Sequence, residues 1–151
     1  MEAKDILDVI KEAVARGEGE EAVEQIKKAL GKGIDPLELL EKGSVAGIRE
    51  IGERWAREEA FLTEVMLAAD AFKQGYAILE AEINRSGKKY QAPGKILLGT
   101  VEGDIHDLGK KIVEAFLTSG GFDVYDLGVD VPARILIEKA RELNPDVIGL
   151  S

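Results

Sequence analysis

The sequence contains one histidine, His106, and its chemistry depends on the loop around it. That loop reads GTVEGDIHDLG over residues 99–109 and continues from a short apolar run of strand length, KILLGTV over residues 95–101. A lone imidazole in a loop is most often a solvated or locally hydrogen-bonded side chain. It can also give one ligand bond to a metal that obtains its other ligands elsewhere. From the residues alone, both interpretations stay open.

The supply of metal ligands limits which metal His106 could hold. Zinc takes roughly four donors, chiefly His and Cys, whereas this chain has one His and no Cys. A metal held inside a macrocycle needs only an axial donor from the protein. Asp104 could accept the other imidazole N–H of His106 and so fix its tautomer. Taken alone, such an aspartate is more often a turn residue.

The glycines of this loop do not form a known nucleotide-binding pattern. The loop lacks the Gly-Lys-Ser/Thr ending of a phosphate-binding loop and the spacing of the dinucleotide fingerprint. Its position after a predicted strand is nevertheless where open parallel sheets bind ligands. Asp107 is also placed to cap the helix that follows.

The elements before the loop are predicted to be helical. Residues 1–85 repeat apolar side chains at helical spacing, with glycine breaks near residues 17–19 and 31–33. Asp35 followed by Pro36 is a helix start signal. We therefore predict four helices in a small cap bundle over residues 1–85.

Residues 86–94, SGKKYQAPG, form a predicted linker, after which the pattern changes. Strand-like and helical segments then alternate over residues 95–151, which predicts a parallel α/β sheet. Three strands would leave an exposed edge. We therefore expect this sheet to continue in a longer domain, of which the chain is a fragment.

Composition excludes several classes of function. The net charge is −9, which disfavours binding to nucleic acid because that affinity depends on Lys and Arg. The absence of Cys excludes disulfides and thiol chemistry. The first residues are not a signal peptide, and no apolar run is long enough to cross a membrane. These features predict a soluble cytoplasmic protein without nucleic-acid or membrane partners.

Three segments carry a resemblance to corrinoid proteins. Asp104-x-His106-x-x-Gly109, within GDIHDLGKKIV, is similar to their cobalamin-binding motif. Residues 123–132, DVYDLGVDVP, resemble the segment that follows in the methyltransferase branch, and residues 47–72 resemble the helical cap that precedes it. The likeness covers about residues 33–151. It points to the corrinoid subunits of methanol, methylamine or methoxyl-compound methyltransferase systems and to the cobalamin module of methionine synthase.

The resemblance implies a fold and a site. The fold is α/β: a helical cap, then a Rossmann-like (flavodoxin-like) cobalamin-binding domain, here ending after its third strand. His106 would be the lower axial ligand of cobalt, and Asp104 would tune that bond. The further cofactor contacts that the resemblance implies are Gly103, Ile105, Asp107 and Gly109 in the loop, Ser151 beside the nucleotide tail, Trp55, Leu62 and Val65 over the upper face, and Glu41 in the cap. By spacing alone, the three apolar cap residues would be bundle core.

The function implied is methyl transport on a cobalamin (corrinoid) cofactor. Partner methyltransferases would supply and remove the methyl group and a reductive activator would be a further partner, so the chain would be a carrier subunit rather than a complete enzyme. One alternative is a cobalamin-dependent sensor, although Glu64 is followed here by Val65 rather than the His of light-sensing regulators. Adenosylcobalamin mutases share the His motif without this cap. A cofactor-free receiver-like module is the remaining alternative.

Overall fold

The computed structural model describes residues 3–151, which form two compact units. The first unit ends at Tyr90, and the second spans Gln91–Ser151. The first is helical and the second is an α/β sheet. The predicted fold class, helices followed by a parallel sheet with helices, is confirmed.

The first unit is built from helices joined by short turns. They are α1 (Ala3–Ala15), α2 (Gly19–Gly31), α3 (Pro36–Glu38), a π-helical segment (Leu39–Val45), α4 (Ala46–Ala56) and α5 (Leu62–Arg85). Their apolar faces meet in a core of fully buried side chains that includes Ile10, Ile26, Leu40, Ile48 and Leu79. Burial of these aliphatic side chains is the main source of stability for amphipathic helices of this length.

The predicted third helix is present, with one difference in its backbone. Its start is as expected, since the Asp35 carboxylate accepts a hydrogen bond from Leu37 N at 3.1 Å and Pro36 occupies the first turn. The stretch from Pro36 to Ala56 is then interrupted by the π-helical segment Leu39–Val45. A π turn holds an extra residue, which a periodicity argument based on 3.6 residues per turn does not reveal.

The second unit is a three-stranded parallel sheet with two helices. Its elements are β1 (Lys95–Gly99), α6 (Leu108–Ser119), β2 (Asp123–Asp126), α7 (Ala133–Leu143) and β3 (Val147–Leu150). The strand order is β2-β1-β3, with Leu97 opposite Tyr125 on one side and Ile148 on the other. The central strand β1 is buried from Ile96 onward. Its end is therefore a fixed point for the loop that follows.

A buried ion pair fixes α6 against β2. The Lys110 ammonium on α6 contacts both carboxylate oxygens of Asp126, and the Lys110 side chain is only 3% exposed. The same carboxylate accepts a hydrogen bond from Gly128 N at 2.9 Å. Charges so far from water persist only when they are paired and hydrogen-bonded. The pair thus sets the start of α6, next to the loop that holds His106.

Among residues 3–151, no helix has the length and apolar character needed to span a membrane.

We predict that Gly47→Ala destabilises the first unit. An added Cβ would lie 2.5 Å from Lys11 O and 2.9 Å from Val14 Cβ, both on α1. Overpacking of this kind costs about 2 kcal/mol or more in the free energy of unfolding, measured by urea denaturation. The control is Gly31→Ala, where a Cβ meets nothing within 4 Å and stability should be equal or up to ~1 kcal/mol higher. Equal stability of the two variants would contradict the close packing of α1 on α4.

We predict that Lys110→Met destabilises the second unit, because Asp126 is left buried without its cation. The expected loss is about 3 kcal/mol in the free energy of unfolding, measured by urea denaturation. Lys111→Met is the matched control, since Lys111 pairs with Asp107 at the surface and such pairs contribute about 0.5 kcal/mol. A similar small loss in both variants would show that the buried pair does not fix α6.

Candidate functional site

The His106 loop connects the end of β1 to the start of α6 and is held at several backbone points. Val101 N donates to Ser151 O at 2.8 Å, which ties the loop to the end of β3. The Asp130 carboxylate accepts from Gly103 N at 2.8 Å, and Asp130 N donates to Asp104 O at 2.9 Å. These bonds join the loop to residues beyond both neighbouring strands.

Glycine is required at one position of this loop and leaves space at another. Gly103 has a φ of 87°, a left-handed conformation that residues with a Cβ rarely adopt. At Gly109, in the first turn of α6, an added Cβ would meet nothing within 4 Å. The loop surface is therefore open to a ligand at the start of the helix.

Asp104 and His106 form the hydrogen bond that their spacing suggested. Asp104 Oδ1 lies 2.7 Å from His106 Nδ1 and also accepts from His106 N at 2.9 Å. Both hydrogen bonds hold the pKa of the Asp104 carboxyl below its ordinary value, and the bond from the backbone N–H of His106 contributes more than the bond from the ring. Because this carboxylate can only accept, it fixes the proton on Nδ1 and leaves the lone pair on Nε2. The side chain of His106 is 95% exposed, so that lone pair is accessible.

A cavity of about 520 Å³ adjoins this pair within the second unit. Its walls include Asp104 and His106 as well as the apolar side chains Leu98, Val113 and Leu150. Such a cavity, largely apolar with a few directed polar groups, is typical of a site for a small molecule or cofactor. Gly109, Lys110, Gly149 and Ser151 complete its lining.

Ser151 lines this cavity, and a residue that was not singled out from the sequence joins it to the loop. Thr100, fully buried at the end of β1, has its Oγ1 2.9 Å from Ser151 Oγ and donates to His106 O at 3.2 Å. Only the position of this threonine, immediately after an apolar strand, could have marked it in the sequence. Lys110 was missed too, because a lysine near a helix start normally lies in solvent.

The other residues predicted for the loop lie on its surface. Ile105 is 75% exposed. Asp107 stands at the first position before α6, but its side chain does not cap the helix; it pairs instead with Lys111 at 2.5 Å. The capping interpretation of Asp107 is therefore wrong, since the lysine one turn later takes the carboxylate.

In the first unit, the predicted apolar cap residues divide into two environments. Trp55 and Leu62 line a second cavity of about 560 Å³, together with Ala56, Glu58, Ala60 and Phe61. Val65, by contrast, is fully buried in the helical core. Glu41 is exposed on the π-helical segment.

The metal-binding side chains of this site suit a metal whose other ligands come from a cofactor rather than from the protein. Within residues 3–151, no group of three or more His, Cys, Asp and Glu side chains is placed to hold a metal ion. His106 instead offers one accessible nitrogen, oriented by a carboxylate, beside an apolar cavity. A macrocycle-bound metal needs one such donor from the protein, and the hydrogen bond from Nδ1 to Asp104 orients the ring that supplies it. The residues present therefore fit a corrinoid cofactor.

Comparison with known proteins identifies the family. Residues 6–80 and 94–151 each match a B12 binding domain. A corrinoid protein of Desulfitobacterium hafniense (strain Y51) is 43% identical over 97% of this chain and 68% of its own length. The trimethylamine corrinoid protein of Methanosarcina barkeri is 41% identical over 98% of this chain, again with 68% of its length covered.

A solved structure gives the same result. The methanol:cobalamin methyltransferase complex of Methanosarcina barkeri contains a chain that is 30% identical, with a TM-score of 0.80. The match covers 98% of this chain and 57% of that one, so the present sequence spans little more than half the length of that relative. Two domain matches and these relatives agree with the geometry around His106: the chain belongs to the family of B12-binding corrinoid proteins.

Proposed function

We propose that this chain binds a corrinoid through His106 and carries a methyl group on its cobalt between partner methyltransferases. The observation that carries the proposal is the Asp104–His106 pair, with an exposed ring beside an apolar cavity. The relatives named as corrinoid proteins of trimethylamine and dimethylamine support it.

The chain's own contribution is to present one nitrogen in one protonation state. Asp104 holds the proton on Nδ1, so the Nε2 lone pair stays available to a metal. When bound, the cofactor supplies a cobalt centre that accepts and releases a methyl group. The loop backbone bonds at Gly103 and Val101 keep the ring from moving away from the cavity.

The remaining site residues have proposed roles that follow from their places. Gly103 and Gly109 allow the backbone to approach a large flat ligand, and Ile105 adds an exposed apolar contact beside His106. Asp107 is proposed as a polar contact for the cofactor at the loop surface, where its carboxylate pairs with Lys111. Ser151 contributes a hydroxyl at the cavity for the nucleotide tail.

The helical unit is proposed to act as a cap over the reactive face of the cofactor. Trp55 and Leu62 would supply an apolar wall that excludes water from the cofactor, with Val65 supporting them from the core and Glu41 as a polar contact. We propose residues 1–85 as the cap, 86–94 as the linker and 95–151 as the cofactor domain.

The proposed partners are methyltransferases on the donor and acceptor sides. One relative is described as part of a methanol:cobalamin methyltransferase complex, which supports a partner of that kind. A reductive activator and a cytoplasmic location belong to the same proposal; a chain without Cys is compatible with a reducing compartment.

We predict that His106→Ala changes the visible spectrum of the intact protein reconstituted with hydroxocobalamin. Loss of the His106 nitrogen should remove the spectrum of the histidine-ligated form and weaken binding by about tenfold or more. Glu102→Ala, in the same exposed loop, is the control and should behave like wild type. A bound corrinoid with an identical spectrum in His106→Ala would rule out ligation by His106. Failure of the wild-type protein to bind hydroxocobalamin would end the proposal.

We predict that His106→Ala also raises the pKa of the Asp104 carboxyl in the cofactor-free protein. The variant loses the hydrogen bond from the imidazole ring to Asp104. The hydrogen bond from the backbone N–H of residue 106, which lowers the pKa more, remains, so the pKa rises only part of the way to its ordinary value. Because the folded pKa is depressed, the stability these bonds add is present above the ordinary pKa and is lost as pH falls through the folded one.

The measurement is a ¹³C NMR titration of the side-chain carboxyl carbons. Asp107 is an internal control, since the pKa of its carboxyl is lowered by Lys111 and should not change in His106→Ala. An unchanged Asp104 titration would mean that the ring bond is absent in solution.

A further inference from the structure

We propose that Thr100 is a positioning residue for the cobalt ligand: its buried hydroxyl holds the His106 backbone and joins it to Ser151. This inference rests on the proposed function of His106 as the residue that would hold the cobalt. It assigns a role to a residue outside the Asp104–His106 motif, on a different part of the loop.

The geometry places one hydroxyl between two groups of the site. Thr100 Oγ1 lies 3.2 Å from the carbonyl oxygen of His106 and 2.9 Å from Ser151 Oγ. A carbonyl can only accept, so the single Thr100 hydroxyl proton goes to His106 O, and the Ser151 hydroxyl then donates to Thr100. One side chain thus connects the loop to the end of β3.

Thr100 is itself fixed on both sides by its backbone. Its N–H donates to Gly128 O at 3.0 Å, and its carbonyl accepts from Val131 N at 3.0 Å. Gly128 N is in turn bound by Asp126, the partner of the buried Lys110. The hydroxyl is therefore attached to a rigid part of the unit rather than to the mobile end of a side chain, and it can hold His106 in place.

A hydroxyl at a fully buried position needs an explanation, because valine has the same shape and no polar group to satisfy. Thr100 is 0% exposed, so its hydroxyl would cost free energy without partners. A second buried threonine in the same unit, Thr118 on α6, shows the contrast. It is 2% exposed, and within the described part of the chain its Oγ1 has no hydrogen-bond partner.

His106 is therefore held at two separate points. Asp104 fixes which ring nitrogen carries the proton, through the ring and the His106 N–H. Thr100 fixes the other end of the same residue, through its carbonyl. If the Thr100 hydroxyl is removed, the His106 carbonyl is no longer held, and the backbone and ring of His106 can shift together. The ring then spends less time in the orientation needed to bind a metal.

The experiment compares Thr100→Val with Thr118→Val in the intact protein. With hydroxocobalamin as the probe, Thr100→Val should lose most of the histidine-ligated spectrum and bind about tenfold more weakly, as when other outer partners of metal ligands are removed. Thr118→Val, which deletes a hydroxyl without partners, should match wild type in both. Wild-type affinity and spectrum in Thr100→Val would overturn the inference.

A second pair isolates the hydroxyl if Thr100→Val does not fold. Thr100→Ser keeps the hydroxyl and Thr100→Ala lacks it, so only the serine variant should retain the ligated spectrum. Equal spectra for these two variants would also overturn the inference.

The cofactor-free protein provides a readout that separates the two proposals. Ring ¹⁵N shifts of His106 should indicate the Nδ1–H tautomer in wild type and a more mixed population in Thr100→Val. If wild type binds no hydroxocobalamin, the proposed function fails, and these shifts still decide the role of Thr100: an unchanged tautomer in Thr100→Val would exclude it.

Discussion

Parallel pairing of the central strand with both neighbours is the constraint on which the site depends. β1 is bonded to β2 on one side and β3 on the other, and it is buried from Ile96 onward. A strand so enclosed cannot shift its register without breaking two ladders. Its last residues therefore deliver Thr100 to one place, and the bonds from Thr100 and Val101 to the ends of the other strands follow from that placement.

Helix α6 departs from the usual distribution of side chains, since polar residues lie on its buried face and apolar residues on its exposed face. Lys110, Glu114 and Thr118, one turn apart, lie on its buried face, whereas Leu108 and Val113 are more than half exposed. Val113 lines the cavity beside His106. The charge of Lys110 is tolerated toward the sheet because Asp126 pairs with it. The apolar residues that this exchange turns outward become available to a ligand.

Much of this arrangement could be predicted from the sequence because it depends on local signals. Helical periodicity, the Asp35-Pro36 start and the alternation after residue 94 indicated the helices and the parallel sheet, and the Asp104–His106 spacing indicated the hydrogen bond now seen. The Thr100–His106 bond and the Lys110–Asp126 pair could not be predicted in this way. Each joins residues whose proximity depends on how strands and helices pack, and neither residue type carries a spacing signal.

The π-helical segment Leu39–Val45 has a consequence for how the length of this chain can vary. Its wider turns hold an extra residue between α3 and α4, and Leu40 within the segment and Ile48 after it are both fully buried. Removing one of its two exposed residues, Glu41 or Lys42, would return the segment to ordinary α-helical winding while Leu40 and Ile48 stayed on the core side. Among relatives of this chain, these two positions are therefore where a one-residue deletion in the segment leaves its buried side chains in place.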